Sequence, residues 1–290
     1  MKVTNNHNLP PTIVSALSRD DYTRGKSHRS VTQLIDSPQV RILRERHWDS
    51  LTEDVSEKMW SVLGTAVHKV FEDHTEGDVI SEERLFVELD DWVISGAIDL
   101  QDARGIVDYK CTSVWSVIHD KIEWELQLNA YAWLMRHAKN VNPQELRIVA
   151  VMRDWNRRQA ESDAGYPQAP IAELPITRWS DSDQDTYMEG RIALHQFAEF
   201  RSFSDESLPP CTDAEQWTRP TTYAAKKTTS KRALKVFDSM EEAESFLVQR
   251  GHGDSKWHSV EVRHGAHVRC DQNWCRVAEF CEQHQGRTND

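Results

Sequence analysis

Cysteine, glycine, proline and long apolar runs are all scarce in this 290-residue chain. Five cysteines are too few to staple a protein of this length, so the fold must rest on a buried core in a reducing compartment. Eleven glycines and ten prolines exclude a collagen-like or low-complexity chain. No uncharged apolar stretch approaches the roughly 18 residues a membrane helix needs, and no membrane partner is expected. Residues 1–11 are polar and carry no apolar signal core, so a cytoplasmic location is expected. Positive charge is short as well: 35 Lys and Arg face 47 Asp and Glu, a net charge of −12. That balance argues against indiscriminate binding to polyanions, although a basic patch or a bound cation can reverse the field locally. Tryptophan is plentiful. Eleven of them imply large aromatic contacts, in the core or against a ligand.

Hydrophobic spacing organises the chain. A short helix is expected from Ser30 within residues 28–46, and a long one over Glu53–Asp73, where Val55, Met59, Val62, Val67, Val70 and Phe71 recur at three- and four-residue steps. Three consecutive strands follow at Arg84–Glu88, Trp92–Leu100 and Gly105–Lys110, with Asp102–Gly105 as a tight turn between the last two. Ile122–Ala138 has helical spacing and Leu146–Met152 reads as an apolar strand. Residues 156–168 read as a loop, Ile171–Ile176 as a strand, and Ser180–Phe203 as a helix. Pro209 and Pro210 mark a boundary. Beyond it come strands at Tyr223–Ala225 and Ala233–Phe237, a helix at Met240–Gln249, a strand pair within Trp257–Arg269 and a cysteine-containing end. The expectation is an α/β (α+β) layered fold. Residues 1–50 form an N-terminal helical extension, 51–206 the core, and 207–290 a small C-terminal α+β module.

The hairpin carries the chemistry. Pairing outward from the Asp102–Gly105 turn sets 101 against 106, 100 against 107, and Asp99 against Asp108, with Cβ atoms roughly 5 Å apart. Lys110 projects from the same face as Asp108. Facing carboxylates repel unless a cation lies between them, and Mg²⁺ commonly takes one or two carboxylates with water and phosphate. A lysine alongside can hold or deprotonate an attacking water. A solvated hairpin is the ordinary reading of any Asp-x-Lys, but these strands are apolar (Val93, Ile94, Ile98, Ile106, Val107). His68 stands on the preceding helix, with Glu72 one turn later, and Gln127 and Tyr131 stand one turn apart on the following helix.

Gly-x-x-x-His (64–68), Gly-x-x-Asp (96–99), Asp-x-Lys (108–110) and Gln-x-x-x-Tyr (127–131), in this order, resemble the RecB-like branch of the PD-(D/E)XK nuclease superfamily. The resemblance covers about residues 60 to 155. It implies a restriction-endonuclease-like core, a central mixed sheet flanked by helices. It further implies Asp99, Asp108 and Lys110 as catalytic residues, and His68, Asp99, Asp108 and the Tyr109 carbonyl as ligands for Mg²⁺ or Mn²⁺. Gln127 and Tyr131 would support the site or position DNA, with Glu72, Glu83 and Glu88 as further additions that are otherwise helix-face or strand-edge charges. Stand-alone relatives of this kind occur in bacteriophages, where they are exonucleases of recombination or replication acting on DNA ends or single strands beside partner proteins; the location would then be the host cytoplasm. No Gly-x4-Gly-Lys-Ser/Thr loop is present, so any motor is a separate partner. The rivals are a catalytically silent DNA-binding or assembly protein on the same fold, and a metal-holding adaptor.

Two further features stand apart. Cys270, Cys275 and Cys281, with the distant Cys211, resemble the cysteines that hold a [4Fe–4S] cluster in some relatives, but the first spacing is longer and the fourth cysteine is displaced. Zinc, or ordinary reduced cysteines, remain open. Lys226, Lys227, Lys231, Arg232 and Lys235 concentrate positive charge, either as a solvated hairpin or as a surface for DNA phosphates. Arg153, Arg157 and Arg158 form a second basic group.

Overall fold

The computed structural model describes residues 1–18, 25–74, 77–119, 121–204, 206–253 and 255–288. It divides into two units, Met1–Pro209 and Pro210–Asp290.

In the first unit the chain runs β1 (Lys2–Thr4), α1 (Pro11–Ser18), β2 (Arg29–Ser30), α2 (Val31–Leu34), α3 (Pro38–Arg46) and β3 (Thr52–Asp54). A 3₁₀ turn at Val55–Lys58 then leads into α4 (Met59–Asp73). The long helix expected from residue 53 therefore starts later. Asp54 accepts the Ser56 N–H at 3.1 Å and caps the turn, while its other oxygen takes the Asn6 N–H at 2.7 Å, which joins β1 to β3. These bonds to the charged form hold the Asp54 carboxyl well below the usual carboxylate range. Next come β4 (Ile80–Leu89), β5 (Trp92–Gln101), β6 (Gly105–Thr112), α5 (Val114–Ile118), α6 (Ile122–Lys139) and β7 (Glu145–Met152). A six-residue helix, α7 (Arg157–Ser162), occupies the expected loop; Asn156 caps it by accepting the Gln159 N–H. β8 (Ile171–Ile176) and α8 (Asp181–Ser202) complete the unit.

Six strands form one mixed sheet. β4 runs antiparallel along β5, and β7 pairs with β6 in parallel and with β8 in antiparallel fashion. The other edge of β5 is shared by two partners: β6 at Leu100–Gln101 and β2 at Ile94–Ser95. Between them β5 and β6 separate. The fork so formed is the feature around which the site is built. The turn matches its expected position. Asp102 Oδ1 accepts the N–H groups of Arg104 and Gly105, and a Cβ on Gly105 would lie 2.1 Å from the Glu145 carbonyl oxygen.

α6 lies across one face of the sheet with Trp124, Leu128, Tyr131, Trp133, Leu134 and Met135 buried. It ends at Asn140 in the left-handed conformation, φ 55°. The core continues through Ile98, Ile106, Ile148 and Ala150 of the sheet, Met188 and Ile192 of α8, and Val31 and Leu34 of α2. Val31 and Leu34 thus bring α2 directly into this core. Tyr109, whose side chain alternates with those of Asp108 and Lys110, packs against Phe71 of α4 with ring centroids 4.8 Å apart, so α4 covers the opposite face from α6.

The second unit holds β9 (Thr218–Arg219), β10 (Thr222–Lys227), β11 (Ala233–Phe237), α9 (Met240–Gln249), β12 (His258–Arg263), β13 (Ala266–His267), α10 (Val268–Asp271) and α11 (Glu282–Thr288). β11, β10 and β12 form an antiparallel sheet packed on α9. The strand pair expected within 257–269 is split: β12 joins β10, and β13 joins β9.

His195 of α8 is fully buried. Its Nε2–H donates to the carbonyls of Leu34 and Asp36, each at 3.2 Å, and its Nδ1 accepts from Arg41 Nε at 3.4 Å. This arrangement requires the neutral ring. Burial, with Arg191 and Arg41 alongside, pushes its pKa down to about 3. The unfolded chain takes up a proton near pH 6.5 that the folded chain refuses, so this contribution is complete above 6.5 and is lost as pH falls toward 3. Stability should decline by up to about 1.4 kcal/mol per pH unit in that window. His195→Gln should flatten the slope between pH 6.5 and 4.5 in urea unfolding; an unchanged slope contradicts the assignment.

Candidate active site

The fork opens where the β5–β6 ladder stops. Leu100 pairs with Val107 and Gln101 with Ile106, in the expected register, but Asp99 and Asp108 are not a ladder pair. Instead the Tyr109 N–H, which has left the ladder, donates to Asp99 Oδ2 at 2.7 Å. The period of two also fails here. Ile98 packs in the core beneath α6, whereas Leu100 lines an apolar pocket with Phe71 and Tyr109 on the α4 side. On the neighbouring strand, Ser81 pairs with Leu100 and Glu83 with Ile98, while Glu82 between them has φ 52°. This paired distortion aims both carboxylates toward His68, a use typical of irregularities beside functional sites.

His68 reaches the fork from α4. Its Nε2–H donates to the Tyr109 carbonyl at 2.9 Å, leaving Nδ1 at 3.6 Å from Asp99 Oδ2 and 3.7 Å from Glu82 Oε1. Among the described residues, His68, Glu82 and Asp99 are the grouping of three whose donor atoms lie within 4.8 Å of one another. Glu82 escaped the sequence reading. Its one signal was its place opposite Asp99 in the hairpin register.

Asp108 is 1% exposed. Gln127 Nε2 donates to its Oδ1 at 3.1 Å and to the Tyr131 hydroxyl at 2.9 Å. Lys110 Nζ lies 2.5 Å from Asp108 Oδ2 and donates to Gln127 Oε1 at 3.1 Å. Thus the structure joins Asp108, Lys110, Gln127 and Tyr131 in one network, beside the His68–Glu82–Asp99 grouping. Glu72 lies elsewhere, 3.0 Å from Lys69, and Glu83 binds Lys139 and Gln101. Glu88 is exposed on β4. Gly96 makes the close packing possible: a Cβ there would fall 2.7 Å from both Leu134 Cδ1 and Tyr131 Cε1.

The electrostatics favour a cation. Burial, and then the nearby Asp108, push the Asp99 carboxyl up to about 7. The carboxylate of Glu82 foremost, then Asp99 and Asp108, raise the pKa of His68 against the opposing effect of burial. Asp108 Oδ2 is buried and receives no hydrogen bond of good geometry. An imidazole nitrogen with two carboxylate oxygens is a donor set that could hold a divalent cation.

In the second unit, Cys270, Cys275 and Cys281 are buried and Cys211 is half-buried. Burial raises the thiols of Cys270 and Cys275. Zinc bonds of 2.3 Å require sulfurs about 3.8 Å apart, and the described cysteines form no such grouping. The iron–sulfur or zinc expectation finds no support in these positions. Of the basic residues, Lys226 is paired with Glu261 and Lys235 lies 4.9 Å over the Phe237 ring, while Lys227, Lys231 and Arg232 are exposed.

The fork of the mixed sheet thus brings acidic groups, a lysine and a histidine together. The sequence matches the PD-(D/E)XK nuclease superfamily over residues 23–282, and the chain belongs to that superfamily. Among solved structures, one described as "Crystal structure of SSO0001" is similar with a TM-score of 0.40 and 18% identity, covering 63% of this chain and 81% of that chain. No curated protein matches the sequence.

Mn²⁺ should raise the melting temperature of the wild type by mass action. Glu82→Gln should weaken Mn²⁺ binding about tenfold, shifting the concentration needed for the same rise. Identical Mn²⁺ dependence in the two proteins would remove Glu82 from the site.

Proposed function

We propose that the protein is a Mg²⁺- or Mn²⁺-dependent deoxyribonuclease of the RecB-like branch, working as an exonuclease on DNA ends or single strands in recombination, replication or repair. The observation that carries this reading is the buried Asp99 beside Asp108, with the Lys110 ammonium at 2.5 Å from Asp108. When bound, the cation would neutralise phosphate charge and lower the pKa of a coordinated water. His68, Asp99, Asp108 and the Tyr109 carbonyl would hold it, with Glu82 completing the set.

The chain's own groups do the rest. Gln127 fixes Asp108 through Oδ1 and Lys110 through its own carbonyl oxygen, so both charged groups are oriented before substrate arrives. Lys110 donates one N–H to Gln127 and sets its charge against Asp108, which leaves donor capacity for the attacking water or a phosphate oxygen. Because Lys110 and Asp108 lie on one strand two residues apart, their separation is set by the backbone rather than by flexible loops. The water's oxygen bonds to phosphorus as the water gives up a proton to solvent, the phosphorus–oxygen ester bond breaks, and the departing oxygen takes a proton back from solvent.

Digestion of end-labelled DNA with Mg²⁺ tests this. Asp108→Asn and Lys110→Ala should each reduce kcat by at least about a hundredfold with melting temperatures near wild type, and EDTA should abolish cleavage. Linear DNA should be degraded and circular duplex spared. Full activity in both variants would refute the catalytic assignment, and cutting of circular duplex would refute the exonuclease reading.

A further inference from the structure

α4 carries a feature that catalysis alone does not use. Trp60, Gly64 and His68 recur at four-residue steps and form one slanting row on the helix. Gly64 sits in the interior of the helix, where glycine is disfavoured relative to alanine. No packing demands it: a Cβ at Gly64 would have nothing within 4 Å. None of the residues of α4 is buried, although Val62, Leu63, Val67 and Phe71 are apolar. At the head of the row Trp60 is 56% exposed, with the Arg153 guanidinium 4.5 Å from its ring centroid. Arg153 follows β7, is exposed, and makes no ion pair among the described residues. Its backbone N–H donates to the carbonyl of Thr112, two residues beyond Lys110 on β6. An unpaired cation stacked on an open indole is notable in a chain of net charge −12.

The spacing is that of a strand of DNA. From His68 to Trp60 the helix rises about 12 Å, and from Tyr109 to Thr112 the strand rises about 10 Å. The Trp60–Arg153 pair therefore lies about three nucleotides from the fork at the B-form spacing of 3.4 Å, fewer in an extended strand. Aromatic faces hold single-stranded bases by stacking without regard to sequence, and an adjacent guanidinium meets the phosphate.

We infer that the Trp60–Gly64–His68 row of α4 is the track of the DNA strand being cut: its sugar–phosphate backbone crosses the bare helix at Gly64, and a base two to three nucleotides from the scissile phosphate stacks on Trp60 beside Arg153. This rests on the nuclease reading above and adds to it a binding subsite and a preference for a single-stranded end.

The experiment is a set of single-stranded oligonucleotides carrying one abasic residue at successive positions, cleaved by wild type, Trp60→Ala and Trp60→Phe. For wild type, one abasic position two to three nucleotides from the cut bond should raise KM about tenfold, with kcat nearly unchanged. Trp60→Ala should raise KM for intact DNA by a similar factor and be indifferent to that abasic position, while Trp60→Phe restores the sensitivity. Gly64→Ala should melt no lower than wild type, yet lose about tenfold or more in kcat/KM. The track is overturned if wild type cleaves but no abasic position matters, if Trp60→Ala and wild type respond alike, or if Gly64→Ala cleaves at full rate. If wild type cleaves no DNA at all, the nuclease reading falls first, and the track with it.

Discussion

The hydrogen bond from the Tyr109 N–H to the Asp99 carboxylate governs the arrangement of this molecule. It forms because the antiparallel ladder between β5 and β6 ends at Leu100–Val107, which frees a backbone donor just where a buried carboxylate stands. β2 then takes up the abandoned edge of β5 at Ile94 and Ser95. The strands are held apart rather than simply frayed, and the gap admits His68 from one face and Lys110 with Gln127 from the other. Asp99 and Asp108 are thereby kept close enough for each charge to oppose the other in a site poor in water, an arrangement that a divalent cation relieves.

Much of this was legible in the sequence. The Asp102–Gly105 turn set the register of the hairpin, and counting outward reaches the observed pairs 101–106 and 100–107. The apolar periodicity of 122–138 located α6 because nearly all its inward positions are large and buried. Counting fails one pair later, at Asp99, because a period-two rule assumes an unbroken ladder. The reversal between Ile98 and Leu100, and the left-handed Glu82 opposite, arise from tertiary demands with no local signature. Glu82 is not a residue type that favours positive φ, so nothing in its neighbourhood announced its left-handed backbone. His68, Gln127 and Tyr131 could be singled out only through their family-like spacing. Glu72 shared a helix face with His68 on paper, yet its charge is taken by Lys69.

Stability and chemistry occupy different parts of the first unit. The packing against α6, α2 and α8 is dense, and within it both ring nitrogens of the buried His195 have partners. On the other face α4 is thinly covered, with a glycine where alanine would serve the helix better. Such local departures from what favours folding are expected where a substrate must be accommodated. The second unit has its own small sheet and helix, with buried neutral thiols among its packing groups.

The central claim is geometric: a cation belongs in the fork between β5 and β6. Anomalous diffraction from crystals grown with Mn²⁺ tests it most directly. The account predicts a single strong peak in bonding contact with a carboxylate oxygen of Asp99 and within reach of His68. A peak elsewhere on the chain, or an empty fork at saturating Mn²⁺, would contradict it.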